Sequence, residues 1–233
     1  MTIMDTVMLI ASFLVVGFVL TLSQRLHKAG YSLLFTRKLV HVTVGLWIIP
    51  TMLFFDHAWV AAIPSVVAII GNTLSYYTGL IGSIEMKHDR ANYGTIFYPA
   101  SFVVIILAFF PQYNTYWYAG MLGILIMAFG DTAASVYGRF YGHRKYEVWD
   151  ETRSIEGSLA MFFVTLVLAW LMFGVAGLYS ITGLTGWGNF ILAGYVAAFS
   201  TIVEAASIRG WDNFLVPVGS AFFTLWMLKL FVV

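Results

Sequence analysis

Eight predominantly apolar stretches divide the chain, at about 3–22, 39–55, 58–79, 95–110, 116–137, 157–174, 189–208 and 214–232, with short polar breaks between them. A helix that crosses a bilayer needs about 20 mostly apolar residues, because the hydrocarbon core is about 30 Å thick and each residue rises 1.5 Å. The pattern predicts an all-α, polytopic membrane bundle of eight transmembrane helices, the shorter stretches extending into their loops. The longest polar segment, Gly138–Glu156, is too short to fold alone, so residues 1–233 are expected to form a single transmembrane domain. No convincing repeat relates the first four stretches to the last four.

Charge then orients the bundle. Lys and Arg occur at 25, 28, 37 and 38, at 87 and 90, at 139, 144, 145 and 153, and at 209, with Lys229 the single exception. The alternate turns, around Asp56–His57, Pro111–Thr115 and Phe173–Gly188, carry none. Short basic loops mark the cytoplasmic side. Four such loops separated by three without bases predict an even number of crossings, most simply eight, with both termini outside. The first stretch has no basic leader and is followed by positive charge, which predicts a retained helix and not a cleaved signal.

Composition agrees: 61% of residues are hydrophobic and only 10% charged, which excludes a soluble globule of this length. A net charge of +1 predicts no nucleic-acid partner. The absence of cysteine excludes disulfides and thiolate metal sites. The five histidines show no metal-binding spacing. The Gly183–Gly188 run lies on the outer side, without the strand–turn–helix context of a dinucleotide site.

Nine of the eleven acidic residues, all but Asp5 and Asp56, share the basic face, which the positive-inside rule does not explain. Asp131 follows Gly130 inside an apolar span, where an ionisable group is functional by default. On a helix it shares a face with Ser135 and Gly138. A carboxylate there suits Mg²⁺, which takes one or two protein carboxylates plus phosphate oxygens; the alternative is an ion pair with a neighbouring helix. Next come Gly138, Arg139, Arg144 and Lys145, then Arg153, Ser154, Glu156 and Gly157, a candidate triphosphate cradle of bases, glycines and a helix N-terminus. Alternatively Ser154 only caps that helix and the bases are solvated. No Gly-x-x-x-x-Gly-Lys-Ser/Thr sequence is present, so the phosphates are not held by a P-loop. Glu204 lies within the seventh span, with Ser200 and Ser207 on its face. Asp212 and Asn213 fall in the tight turn before the eighth span, where turn chemistry is an equal reading. Arg37, Lys38 and His41 start the second span. There Lys38 can snorkel and His41 can be an ordinary hydrogen-bonded residue.

In this order the motifs resemble the polyprenol kinase family, which groups dolichol, phytol and CTP-dependent diacylglycerol kinases. The resemblance rests on Arg37-Lys38-x-x-His41, Tyr93-Gly94-Thr95 through Tyr98-Pro99, and Gly130-Asp131-x-x-Ala134-Ser135-x-x-Gly138. It continues in Ser154-x-Glu156-Gly157-Ser158, Glu204-Ala205, and Asp212-Asn213 followed by Val216-Pro217. Arg153 stands where the family usually has Lys. The resemblance implies an enzyme that uses CTP and a divalent cation, at the cytoplasmic face, to phosphorylate the hydroxyl of a bilayer lipid. Under it, Asp131 binds Mg²⁺ and Arg139, Arg144, Lys145 and Arg153 hold phosphates, helped by Ser154 and Gly157. Arg37 and Lys38 assist from across the site. Glu204 or Asp212 is a second metal ligand or the base, with His41 a weaker candidate. The related phosphatidate cytidylyltransferases offer an alternative, a CDP-lipid synthase, and a proton-coupled transporter would also bury Asp131 and Glu204.

Overall fold

The computed structural model describes residues 1–78, 93–149, 151–178, 186–208 and 210–231. Helix α1 spans Ile3–Lys28, α2 Leu33–Leu46, α3 Ile48–Phe54, α4 Ala58–Thr78 and α5 Gly94–Phe109. Helix α6, Trp117–Leu125, runs through a π-helical turn at Ile126–Asp131 into α7, Thr132–Tyr141. A two-stranded antiparallel hairpin, β1 Lys145–Val148 and β2 Glu151–Ser154, leads into α8, Ile155–Leu178. The chain ends in α9, Gly186–Ala206, and α10, Asp212–Phe231. Seven of these rods, counting α2–α3 and α6–α7 as one each, are long and apolar enough to cross a membrane. The other, α5, is a shorter apolar helix of 16 residues. The polytopic all-α bundle read from the sequence is therefore present.

Several boundaries differ from the sequence reading. The second rod begins six residues earlier than 39, because Ser32 caps it by accepting the Phe35 N–H at 3.3 Å. Arg37, Lys38 and His41 are thus inside a helix and not at its start. Asp212 and Asn213 open α10 instead of lying in the turn before it. The fifth rod continues past Gly138 to Tyr141, which places Asp131 ten residues from its end, about 15 Å at 1.5 Å per residue. The polar segment read as loop contains the hairpin. Lys87, Arg90 and Arg209, and residues 183–185 of the glycine run, lie outside the described residues.

The central element is the α6–α7 rod. In its most apolar stretch 72% of residues are buried, against 17–39% in the other spanning helices, whose apolar faces remain outward. A helix apolar all round and buried all round is the hub of the bundle. Helices α5 and α10 pack on its first half, and α8 on its second. At Gly123 a Cβ would stand 2.3 Å from the Pro217 carbonyl oxygen, so glycine there lets α10 close onto the hub.

The end remote from Asp131 is closed by a polar latch. Asp5, fully buried, accepts the backbone N–H groups of Asp56 at 3.0 Å and His57 at 3.2 Å, and its Oδ2 lies 2.7 Å from His57 Nδ1. Together with the Thr2 cap, which also bonds Asp56, this ties the start of α1 to the turn before α4. A carboxylate saturated with donors is a stable way to bury charge at a helix end.

Candidate active site

At the opposite end, five elements, α2, the π-helical turn, β2, α9 and α10, bring charged side chains together. Lys38 on α2 reaches the π-helical turn, its Nζ 2.5 Å from Asp131 Oδ2. His41, one turn further along α2, places Nε2 3.8 Å from the same oxygen. Ser135 donates to Asp131 Oδ1 at 3.3 Å, as their spacing of four predicts. The wide π turn, a feature frequent at functional sites, offsets Asp131 from the register of a straight helix. His41 is itself held by Tyr98 of α5, whose ring stacks on it at 3.9 Å and whose hydroxyl donates to the His41 carbonyl at 3.0 Å.

Arg153, at the end of β2, forms the second knot. Its guanidinium pairs with Glu204 of α9, donates to the Ser207 carbonyl at 3.0 Å and stands 3.7 Å from Asp212 Oδ2 on α10. A planar fork of donors serves three acceptors from three directions, as the single ammonium of Lys does not. Asp212 and Asp131 line one cavity, so the two knots share one charged mouth.

The other candidates divide. Arg37, Arg139 and Asn213 line the same cavity as Lys38, His41, Asp131, Arg153 and Asp212. Arg144 and Lys145 are exposed on the hairpin, where the Arg144 N–H donates to both Glu156 carboxylate oxygens at 3.1 and 3.3 Å. Ser154 accepts the Gly157 N–H at 3.1 Å and so acts as a cap of α8. A Cβ on Gly157 would lie 2.9 Å from the Ala134 carbonyl oxygen and 3.3 Å from the Gly138 Cα. Gly138, Ser154 and Gly157 therefore seat α7 against α8 and do not line the cavity.

The mouth opens into a cavity of about 730 Å³ lined by α1, α2, α4 and α5. Its deeper walls are apolar, with Val16, Val44, Val67, Phe102 and Ile106 among them. Among the described residues, His41 Nε2, Glu204 Oε2 and Arg153 Nε are buried polar atoms without a hydrogen-bond partner. Such atoms are rare unless a ligand or ion completes them. No group of three or more His, Asp or Glu able to hold a metal occurs among the described residues. That donor set does not suit a resident ion, but the carboxylates of Asp131 and Asp212 suit Mg²⁺ arriving with a nucleotide, which needs only one or two of them. Glu204 is taken up by Arg153.

Some contributors were not singled out in the sequence. Asn72 of α4, at the mouth, donates to the Thr95 carbonyl at 2.6 Å. It is a polar side chain in an otherwise apolar span, a signal that was legible. Tyr98 falls within the Tyr93–Pro99 motif, but its contact with His41 depends on the tertiary arrangement.

No family model and no solved structure matches the chain. Among curated proteins, it is 34% identical over 190 residues to the phytol kinase of Synechocystis sp., an alignment covering 80% of this chain and 76% of that protein. The chain belongs to the polyprenol kinase family. It is also 27% identical over 170 residues to CTP-dependent diacylglycerol kinase 1 of Saccharomyces cerevisiae, covering 66% of this chain and 56% of that one. A probable phytol kinase 1 of Glycine max is 27% identical over 209 residues, 81% of this chain and 66% of that protein. Membership in the polyprenol kinase family makes the chain a lipid-alcohol kinase, and the charged mouth over an apolar cavity is where such chemistry fits.

Proposed function

We propose that this enzyme transfers the γ-phosphate of CTP to the hydroxyl of a membrane isoprenoid alcohol or diacylglycerol, at the cytoplasmic ends of its helices and with Mg²⁺. One observation carries the reading: Lys38–Asp131 and Arg153–Glu204–Asp212 meet at the mouth of an apolar cavity. A lipid alcohol needs that combination, an apolar wall for the tail and fixed charge for the phosphates.

Phosphoryl transfer asks little covalent chemistry of the protein; positioning and charge neutralisation supply most of the rate. Arg37, Lys38, Arg139 and Arg153 line the mouth and neutralise phosphate oxygens, with Arg144 and Lys145 on the hairpin beside it. Asp131 and Asp212 would hold the Mg²⁺, which would supply positive charge against the phosphates. Entry of the nucleotide competes for Lys38, whose ammonium moves from the carboxylate to a phosphate oxygen. The tail of the alcohol lies along the apolar walls, which brings its hydroxyl to Asp131 and His41. We assign acceptance of the hydroxyl proton to His41, whose buried Nε2 has no hydrogen-bond partner. The concentration of Lys and Arg at this end supports the cytoplasmic assignment.

Purified protein in lipid bilayers, given CTP labelled separately at its α- and γ-phosphates with a panel of lipid alcohols and, in parallel, phosphatidate, tests the reading. Label from the γ position is expected in the lipid. Label from the α position would instead make the enzyme a CDP-lipid synthase.

A further inference from the structure

Two irregular helices converge on one imidazole. Helix α5 carries Pro99, which has no N–H to offer the carbonyl of Thr95 four residues back. Asn72 of α4 takes that acceptor instead, donating from Nδ2 at 2.6 Å, so the turn of α5 between Thr95 and Pro99 is fastened to α4. Tyr98 stands on this turn. Its ring lies against His41, with centroids 3.9 Å apart and planes 17° from parallel, and Phe102 meets it edge-on at 5.3 Å. Its hydroxyl donates to the His41 carbonyl at 3.0 Å. Gly45, one turn further along α2, makes room for that bond, since a Cβ there would stand 2.7 Å from the Tyr98 oxygen.

The second irregularity is the π-helical turn, Ile126–Asp131. Its backbone carbonyl at Met127 accepts a hydrogen bond from the His41 ring, and because Nε2 has no partner, the donor is Nδ1. A neutral imidazole has one N–H and one bare lone pair. With the Nδ1 proton committed to Met127, the lone pair falls on Nε2, the nitrogen that lies 3.8 Å from Asp131 Oδ2. Tyr98 thus holds the face and the backbone of His41, and Met127 holds its tautomer. The Nε2 edge is what these contacts leave free, and it lines the cavity mouth beside Asp131.

We propose that Tyr98 and Asn72 are positioning residues for phosphoryl transfer: Asn72 sets the turn that carries Tyr98, and Tyr98 holds His41 with Nε2 toward the reacting hydroxyl. In the step they serve, the alcohol oxygen bonds to the γ-phosphorus as the bond from that phosphorus to the bridging oxygen of CTP breaks. CDP departs, and the hydroxyl proton ends on Nε2. Tyr98 and Asn72 act on this step through His41. The inference rests on the kinase reading above and on His41 as the proton acceptor.

The test is a cycle of variants of the full chain in bilayers, with γ-labelled CTP and with phytol and dioleoylglycerol as acceptors. Tyr98→Leu removes the stack and the hydroxyl. It is expected to lower kcat about 30-fold with both KM values within about threefold, because misplacing a reacting group by about 1 Å costs up to about 10²-fold. Tyr98→Phe keeps the stack and should lose about threefold, and Asn72→Leu about fivefold. His41→Ala should cost about 10²-fold or more. In that background the Tyr98 and Asn72 variants should each cost less than about twofold further, since no ring is left to place. Losses that multiply fully in the double variants would overturn the proposal, as would wild-type turnover by Tyr98→Leu. Tyr98→Phe and Asn72→Leu carry the cycle where Tyr98→Leu does not fold.

Nitrogen NMR of the histidine rings in micelles gives a reading independent of turnover, with His41 assigned by its absence from His41→Ala. The Nδ1–H tautomer is expected in wild type, and a growing share of Nε2–H in Tyr98→Leu and Asn72→Leu as the loosened ring turns to donate to Asp131. Nε2–H in wild type, or an unchanged tautomer in both variants, would overturn the positioning role even if His41→Ala is inactive. Absence of γ-label from every alcohol would instead remove the kinase reading. Wild-type turnover by His41→Ala would leave the kinase standing and remove His41 as acceptor, and the proposal with it.

Discussion

Lys38 Nζ stands 2.5 Å from Asp131 Oδ2, a bond across 93 residues of sequence that fastens α2 to the π-helical turn of the central rod. Both side chains are largely buried, 18% and 8% exposed. Removing one partner of a buried pair strands the other charge and costs about 3–5 kcal/mol. Lys38→Met is therefore expected to lower the melting temperature in detergent, and adding Asp131→Asn should restore most of it. Equal losses in the single and double variants would show that the two groups do not depend on each other.

Asp131→Asn separates stability from catalysis. The amide keeps the shape and a hydrogen bond to Ser135 but removes the negative charge proposed to hold Mg²⁺. Loss of about 10³-fold in kcat/KM is expected, about 4 kcal/mol at 1.36 kcal/mol per tenfold. The deficit should shrink as Mg²⁺ is raised, and chelation with EDTA should abolish wild-type turnover. Full activity of Asp131→Asn at limiting Mg²⁺ would take Asp131 out of the metal site.

Arg153 joins the hairpin to α9 and α10 through Glu204, Ser207 and Asp212. Arg153→Lys keeps the charge and loses the fork, so it cannot meet all three acceptors. We expect a fall of tenfold or more in kcat/KM and a lower melting temperature, with Arg153→Met worse on both counts because Glu204 is then buried unpaired. Turnover by Arg153→Lys equal to wild type would show that charge alone suffices at this position.

What the sequence made legible follows from which forces are local. Hydropathy is local, so each of the eight apolar stretches corresponds to a helical rod. The end errors fall where polar residues cap or open a helix, as Ser32 and Asp212 do. Buried charge is legible because it is expensive, which is why Asp131 and Glu204 stood out. Partnership is not local: Lys38 could be read as snorkelling because nothing near it in sequence shows Asp131. The glycines of the Gly138 and Gly157 motifs signalled close approach, and what approaches each of them in the structure is the other helix. The hairpin escaped notice because four-residue strands carry too little alternation. Its tip residue Trp149, at φ 51°, is not a residue that announces a turn.

The α7–α8 crossing yields its own prediction. A Cβ on Gly157 would meet the Ala134 carbonyl oxygen at 2.9 Å and Ser154 Oγ at 3.0 Å, backbone and cap atoms that do not move freely. Gly157→Ala should cost about 1–3 kcal/mol by overpacking, read as a lower melting temperature. Because α7 carries Ser135 and Arg139 to the mouth, activity should fall as well. Wild-type stability in the Gly157→Ala variant would mean that the two helices have room to spare.

Orientation in the membrane can be read directly, because the chain has no cysteine of its own. Trp149 projects from the hairpin, 74% exposed, beside exposed Arg144 and Lys145. Thr115 is exposed in the turn before α6, at the opposite end of the central rod, where the neighbouring turns bear no Lys or Arg. Positive charge is retained on the cytoplasmic side during insertion. A membrane-impermeant maleimide applied to intact cells should thus label Thr115→Cys and spare Trp149→Cys, and in inverted vesicles the pattern should reverse. Labelling of Trp149→Cys from outside would put the charged mouth on the wrong side for cytosolic CTP, whatever the chemistry of its residues.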